Sequence, residues 1–459
     1  MKELDNLLYN QKKHFSSYLV NLGIKDRISK IKKIRAWISD NKELIIQTCQ
    51  KDYYKPVAEI YATEINPILN HIDFTLKHIK RWVKRQSVWT PLHLLGSSSK
   101  IYYEPKGVCL VISPWNYPFN LTVNPLVSAI AAGNCVVIKP SEHTPNMSKL
   151  LDEMVSLIFD KNEICVVNGD SSIGSHLISL KFDHIFFTGS PEIGKIVMGE
   201  AAKNLCSVTL ELGGKNHTVV DSNSNIKSTA EKIIWSKFVN SGQTCIAANH
   251  VFVHSDIYDA FILCLKNTID RFFENNSDYA SIINEQHLNR LKSLQNQCLE
   301  NGGELYYQSP DCDKKNSFPI TLIKLKDLEN PILKSEIFGP ILPILSYTNL
   351  GDVINFIKSD DKTLALYFFT KTKSLISYFI KSTSSGTVAI NECMLQYSNP
   401  YLLFGGVNSS GMGKVGRNRG FLAFSNEKSV LFQMSNFSIA KFIYPPYTLL
   451  KQKIAKLIR

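Results

Sequence analysis

A chain of 459 residues in which 44% are hydrophobic and 20% charged has ample material for a folded core, suggests about three domains by length, and is neither a disordered nor a fibrous polymer. The net charge of +12 invites an anionic partner, yet the densest basic run, Lys77, Lys80, Arg81, Lys84 and Arg85, carries no nucleic-acid motif and reads as a solvated face, so no nucleic acid is expected. Met1 to Asp5 lacks the apolar run of a signal peptide, no stretch reaches the length of a membrane span, and the ten cysteines show no Cys-x-x-Cys spacing. The expectation is a cytoplasmic protein with free thiols and no metal site.

Residues 1 to about 85 read as helices, with Leu19, Leu22, Ile28, Ile31, Ile34 and Trp37 at three- and four-residue steps. After Ser97-Ser98-Ser99 the pattern changes to short apolar runs separated by helical stretches: Gly107 to Ile112, Cys135 to Ile138, Ile164 to Val167 and His184 to Phe187. Continuous apolar strands of this length predict a parallel α/β sheet covered on both faces. A dinucleotide would bind beyond the carboxyl ends of its strands, but no Gly-x-Gly-x-x-Gly follows any of them. In its place stands Gly189-Ser190-Pro191-Glu192-Ile193-Gly194. Ser190 is a natural helix cap, Pro191 suits the first turn, and the free amides there favour a phosphate. Many helices begin this way, so the motif alone does not decide.

A second α/β unit is expected from Glu211 to about Ile390, with a strand at Val251 to Val253 and a helix from Tyr258 to Phe273. Its first residues, Glu211-Leu212-Gly213-Gly214-Lys215, place a carboxylate at a strand end beside two glycines that admit another backbone. Asn240-Ser241-Gly242-Gln243-Thr244-Cys245 then sets a thiol on a tight turn after an apolar helix. Most free cysteines are buried and inert. Here the companions differ, because Pro114-Trp115-Asn116-Tyr117-Pro118-Phe119 fixes a side-chain amide between two prolines. Thiolate, carboxylate and amide donor are the parts that acyl chemistry at a carbonyl requires.

These stretches, with Lys139-Pro140-Ser141-Glu142, Phe187-Thr188-Gly189-Ser190 and Glu336-Ile337-Phe338-Gly339-Pro340, resemble in order and spacing the motif series of the aldehyde dehydrogenase superfamily, from about Tyr103 to Gly413. The short N-terminal region and the late Tyr444-Pro445-Pro446-Tyr447 resemble the class 3 branch, which includes fatty and aromatic aldehyde dehydrogenases. The resemblance implies a Rossmann-like cofactor domain (1–84 and 105–210), an α/β catalytic domain (211–394), a bridging β arm (85–104 and 395–425) and a C-terminal tail (426–459). It implies Cys245 as nucleophile, Glu211 as general base and Asn116 as oxyanion donor. It places Lys139 and Glu142 on the adenosine ribose, Gly189, Ser190 and Gly194 at the pyrophosphate, and Glu336 and Phe338 at the nicotinamide. Glu142 would repel a 2′-phosphate, favouring NAD, with NADP possible.

Tyr117, Trp235 and Phe404 are candidates for the substrate tunnel, and a homodimer is implied. The chain departs from the class 3 pattern at Gln396, Leu403, Asn408-Ser409 and Val415-Gly416, which the family fold places near the substrate mouth. In the tail, apolar residues 449, 450, 454, 457 and 458 share one helical face and cations the other; such a helix suits a membrane surface, its own subunit or a dimer mate. The expected activity is NAD(P)-dependent oxidation of a medium- or long-chain aliphatic or aromatic aldehyde. A coenzyme A-acylating enzyme and a catalytically silent membrane-associated relative are the alternatives, and a cysteine hydrolase would need a histidine partner from among His143, His184, His217 and His250.

Overall fold

The computed structural model describes residues 1–274, 278–310, 314–416, 418–434 and 438–457. Its strands, in chain order, are β1 Gln86–Val88, β2 Ser97–Pro105, β3 Val108–Ile112, β4 Cys135–Lys139, β5 Ile164–Val166, β6 His184–Thr188, β7 Ser207–Glu211 and β8 His217–Val220. They continue with β9 His250–His254, β10 Glu304–Gln308, β11 Thr321–Leu325, β12 Ile341–Tyr347, β13 Ala365–Phe369, β14 Thr387–Ile390, β15 Gly411–Met412 and β16 Ser425–Gln433.

One sheet runs β15-β7-β6-β3-β4-β5, and a second runs β10-β11-β12-β9-β8-β13-β14. Both are parallel apart from the edge strands β15 and β10. Each apolar run expected to be a strand is one, and the reason is visible in β3. Cys109 and Val111 face a core shared with the helices of residues 24–158, while Val108 and Leu110 face the opposite core with Leu8, Val197 and Ala201. Because successive side chains point to opposite faces, only an uninterrupted apolar run satisfies both. Each fully buried aliphatic chain contributes roughly 1.5–3 kcal/mol.

Strand order reverses at β3, which lies between β4 and β6. The crevice beyond the carboxyl ends of β3, β4 and β6 is therefore the topological switch point, where α/β sheets bind ligands. The N-terminal region is helical as expected, with Ile31, Ile34, Ile38, Ile68, Ile72 and Ile79 fully buried.

The third sheet, antiparallel β1-β2-β16, corrects the expected arm. Of the segment 395–425 only Ser425 belongs to it; the strand that pairs along the whole of β2 is Ser425–Gln433, so the segment expected to begin the tail is mostly sheet. Residues 411–412 instead form β15 at the edge of the first sheet, where Gly411 pairs with Glu211. The physical reason is composition: Ser425–Gln433 is an uninterrupted extended stretch, whereas 405–413 contains four glycines, Gly405, Gly406, Gly411 and Gly413, and folds into turns. The tail ends in the helix Leu449–Leu457, with Leu449 and Leu450 exposed. Ile458 and the side chain of Leu457, which complete its expected apolar face, lie outside the described residues.

Candidate active site

The helix Ile226–Phe238 ends at a turn in which Asn240, Ser241 and Gly242 all take left-handed backbone conformations, with φ of 54°, 54° and 73°. Such conformations cost a non-glycine residue about 1–2 kcal/mol each and persist only where surroundings over-determine them. Here they do. The Asn240 N–H donates to Glu59 Oε2 at 2.9 Å, and its side-chain amide donates to the Asn116 carbonyl at 2.9 Å. Gln243 donates to the Ser281 carbonyl at 3.0 Å and accepts from the Ile283 N–H at 3.0 Å. A Cβ at Gly242 would collide with the Gly339 carbonyl oxygen. This turn presents Cys245, whose carbonyl accepts from Asn216 at 2.8 Å.

Asn116 comes to the same place from the loop after β3. It is 3% exposed, and its Nδ2 donates to the Gln243 carbonyl at 3.0 Å. Neighbouring Tyr117 holds the Thr244 hydroxyl at 2.5 Å, so the residues before the thiol, Asn240 included, are tied to the Asn116 loop at three points. Glu211 ends β7 and is 7% exposed, with both carboxylate oxygens lacking a protein partner. Cys245 and Glu211 line one cavity of about 230 Å³, together with Leu121, Asn124, Tyr397 and Phe404.

Electrostatics separate the roles. Burial, then the carboxylates of Glu336 and Glu211, push the Cys245 thiol up to about 12; the backbone N–H groups of Cys245 and Ile246 pull the other way. Burial pushes Glu211 up to about 8, opposed by Lys414. A protonated thiol therefore sits beside an unpartnered carboxylate whose proton affinity is near neutrality, which is the condition for general base catalysis. Of the four histidines considered from the sequence, His217 and His250 hydrogen-bond each other at 2.8 Å, His184 bonds Ser207 and His143 lies 3.4 Å from Asn284; the histidine that lines the cavity is instead His71.

The residues at the switch-point crevice fit a dinucleotide. Ser190 caps the helix Pro191–Lys203, accepting from the Ile193 N–H at 3.4 Å. Gly194 lets that helix pack closely, since a Cβ there would stand 2.8 Å from Leu212 Cδ2, and one at Gly189 would stand 2.5 Å from Phe187. Lys139 and Glu142 form an ion pair at 2.7 Å at the end of β4. Buried polar atoms without protein partners, Glu336 Oε1 and Ser113 Oγ, call for a ligand with hydrogen-bonding groups. Glu336 is fixed against Gly213, where a Cβ would overlap its carboxylate, and burial raises it to about 7. Phe338, at φ 46°, packs edge-on against Trp115 at 5.4 Å.

The expected substrate residues divide. Phe404 lines the cavity. Tyr117 instead serves the nucleophile loop, and Trp235 is 40% exposed on the outer face of its helix, so neither lines it: the aromatic rings are spent on scaffolding and surface. Of the departures from the class 3 pattern, Val415 and Gly416 border the cavity, while Asn408 and Ser409 are tied to Lys362 and Asp361 at 3.1 Å and 2.8 Å. Glu59, Lys55, Glu64 and Lys414 were not legible as site residues, because only tertiary contact brings each of them there.

The chain belongs to the aldehyde dehydrogenase family, whose model matches residues 3–430, and is an oxidoreductase acting on aldehydes. It is 39% identical to the 4,4'-diaponeurosporen-aldehyde dehydrogenase of Staphylococcus aureus over 97% of each chain. It is also 37% identical to the rat aldehyde dehydrogenase, dimeric NADP-preferring, over 92% of this chain and 93% of that one. The solved structure of Staphylococcus aureus AldH in its substrate-bound state superposes with a TM-score of 0.94 at 36% identity, over 99% of each chain. The activity is oxidation of an aldehyde to the carboxylic acid with NAD(P).

Proposed function

We propose that Cys245 carries the substrate through thiohemiacetal and thioester stages, with Asn116 and Glu211 as oxyanion donor and base. The observation that carries this reading is that Cys245 and the unpartnered Glu211 carboxylate line one cavity, while Asn116 is hydrogen-bonded to Gln243, two residues before the thiol. The Cys245 thiol gives up its proton to water, and the thiolate forms a C–S bond to the aldehyde carbon. The carbonyl oxygen becomes an alkoxide met by Asn116 Nδ2–H and the Cys245 N–H. Bound NAD(P) supplies a two-electron acceptor. Loss of the aldehyde hydrogen with its electron pair leaves Cys245 as a thioester. Glu211 then takes a proton from water, the resulting hydroxide adds to the thioester carbon, and the C–S bond breaks to release the carboxylate.

Lys139 and Glu142 hold the adenosine ribose hydroxyls, Gly189, Ser190 and Gly194 frame the pyrophosphate, and Glu336 and Phe338 position the nicotinamide ribose and ring. The Glu142 carboxylate favours NAD over NADP. Retention of Glu211 favours water over coenzyme A as the acyl acceptor. The largely apolar cavity suits a medium- or long-chain aliphatic or aromatic aldehyde.

The protein acts as a homodimer, bridged through β1-β2-β16, whose neighbourhood exposes Trp89, Leu92, Leu95 and Met434 by 79%, 80%, 61% and 74%. Exposed Leu449 and Leu450 beside Lys451, Lys453 and Lys456 suit the tail helix to a membrane surface; among the described residues no helix is long and apolar enough to cross one. Nine described cysteines are unpaired, consistent with a cytoplasmic enzyme. Reduced-nicotinamide absorbance with aldehydes from acetaldehyde to hexadecanal and with benzaldehyde, each cofactor in turn, tests the activity. Turnover absent from Cys245→Ala and rising with chain length or aromaticity is expected; equal turnover by Cys245→Ala refutes the covalent route.

A further inference from the structure

Lys414 follows the glycine-rich segment 405–413, and among the described residues its amine forms no ion pair. Nζ donates to the carbonyl oxygens of Gly405 at 2.5 Å, Gly406 at 3.2 Å and Gly386 at 3.4 Å. All three of its protons are thus directed at backbone dipoles. That staple matters because the segment it closes wraps the base. A Cβ at Gly405 would stand 2.9 Å from Glu211 Oε1. Gly411 pairs with Glu211, and the Leu212 N–H donates to the Ser410 carbonyl at 3.1 Å.

We propose that Lys414 is a positioning residue for deacylation, acting on Glu211 through the Gly405-Gly406 turn and through the field of its cation. This deepens the assignment of Glu211 as base and rests on it. Thr188 from β6, Gly411 from β15 and Gly405 from the turn pack against Glu211, and the titratable side chains of Cys245 and His71 line the same cavity. The Cys245 thiol, pushed up to about 12 by burial, is neutral in the working range. The charge that opposes burial of the Glu211 carboxylate is that of Lys414, and Glu211 in turn opposes the lowering that burial imposes on Lys414. Held back by three carbonyls, the amine stabilises the carboxylate without quenching it in a salt bridge, so Glu211 stays free to receive a proton from water.

The experiment separates the charge from the staple. Lys414→Gln retains an amide donor and removes the cation, Lys414→Met removes both, and Lys414→Arg retains both. Steady-state turnover at saturating aldehyde and NAD is followed from about pH 6 to pH 10, bracketing the base. Alongside it, the pre-steady-state burst of reduced nicotinamide reports acylation. Turnover falls as pH falls through the proton affinity of Glu211, because only the carboxylate form takes a proton. Loss of the cation raises that affinity. In Lys414→Gln the acid limb is expected to move up by about half to one pH unit, lowering turnover at pH 7 by roughly three- to tenfold while the alkaline plateau and the burst persist. Lys414→Met should shift the limb as far, with a lower plateau, and serves as the charge-free variant if Lys414→Gln does not fold. Lys414→Arg should keep the wild-type limb. A charge-free variant whose limb coincides with the wild type's, or an Arg variant that shifts as far as Gln, overturns the inference about Lys414 alone. Undiminished turnover with an unmoved limb in Glu211→Gln overturns the assignment of the base, and the inference with it.

Discussion

Replacing Lys55 by methionine tests the buried frame beneath the nucleophile loop. Lys55 and Glu64 are both fully buried, with Nζ and Oε1 3.4 Å apart. Glu64 also accepts from the Tyr53 hydroxyl at 3.2 Å and from the Asn120 N–H at 2.8 Å, at the start of the helix behind Asn116. The same amine lies 4.0 Å over the Tyr117 ring, whose hydroxyl holds Thr244. Lys55→Met keeps the two neutral donors on Glu64 but leaves its charge buried without a counter-ion, a change that costs about 3–5 kcal/mol. With an unfolding entropy of about 2.1 cal/mol/K per residue, a chain of 459 residues melting as one unit loses about 3–5 °C in Tm. Burial already holds Glu64 above the usual carboxylate range. Without Lys55 the cost belongs to the ionised form, so the deficit should be larger at pH 9 than at pH 6, growing as pH rises through the elevated folded-state value. The assay is calorimetry on wild type, Lys55→Met, Glu64→Gln and the double variant. The double variant, in which neither charge is buried, should recover much of the loss. A Lys55→Met protein melting within about 1 °C of wild type, or a double variant carrying the full sum of the single losses, refutes the ion-pair reasoning.

Asn116→Ala should lower kcat about a hundred- to a thousandfold while Tm changes little, as loss of one oxyanion donor does; near-normal turnover excludes that role. Gly242→Ala forces a Cβ against the Gly339 carbonyl at φ 73°, and should lower stability by at least about 1 kcal/mol and suppress the burst of reduced nicotinamide; a wild-type burst shows the turn to be more tolerant than its geometry. Because Glu211 is raised to about 8 and must be ionised to accept a proton, wild-type turnover should climb as pH rises through about 8. Glu211→Gln should acylate once and then stall, so a full steady state after the burst counts against it.

Much of the architecture follows from the sequence itself. Strands buried on both faces must be continuous apolar runs, so β3, β4, β5 and β6 are written locally, as are the N-terminal helices in their three- and four-residue spacing. Cys245, Glu211 and Asn116 stand in short motifs whose order is readable without a structure. What the sequence does not carry is the pairing of charges across distance. Lys55, Glu59 and Glu64 look like solvated positions of a helical region, and Lys414 like a loop cation, because local pattern records which face an element buries and not which partner meets a charge there. Only the tertiary structure brings Glu59 beneath Asn240, 181 residues away, and folds the segment that carries Lys414 against Glu211. It likewise decided that Tyr117 braces the nucleophile loop, that Trp235 faces outward, and that Ser425–Gln433 completes the arm. A buried charge is tolerated only when a partner from elsewhere satisfies it, and that partner is chosen by the packing of whole domains.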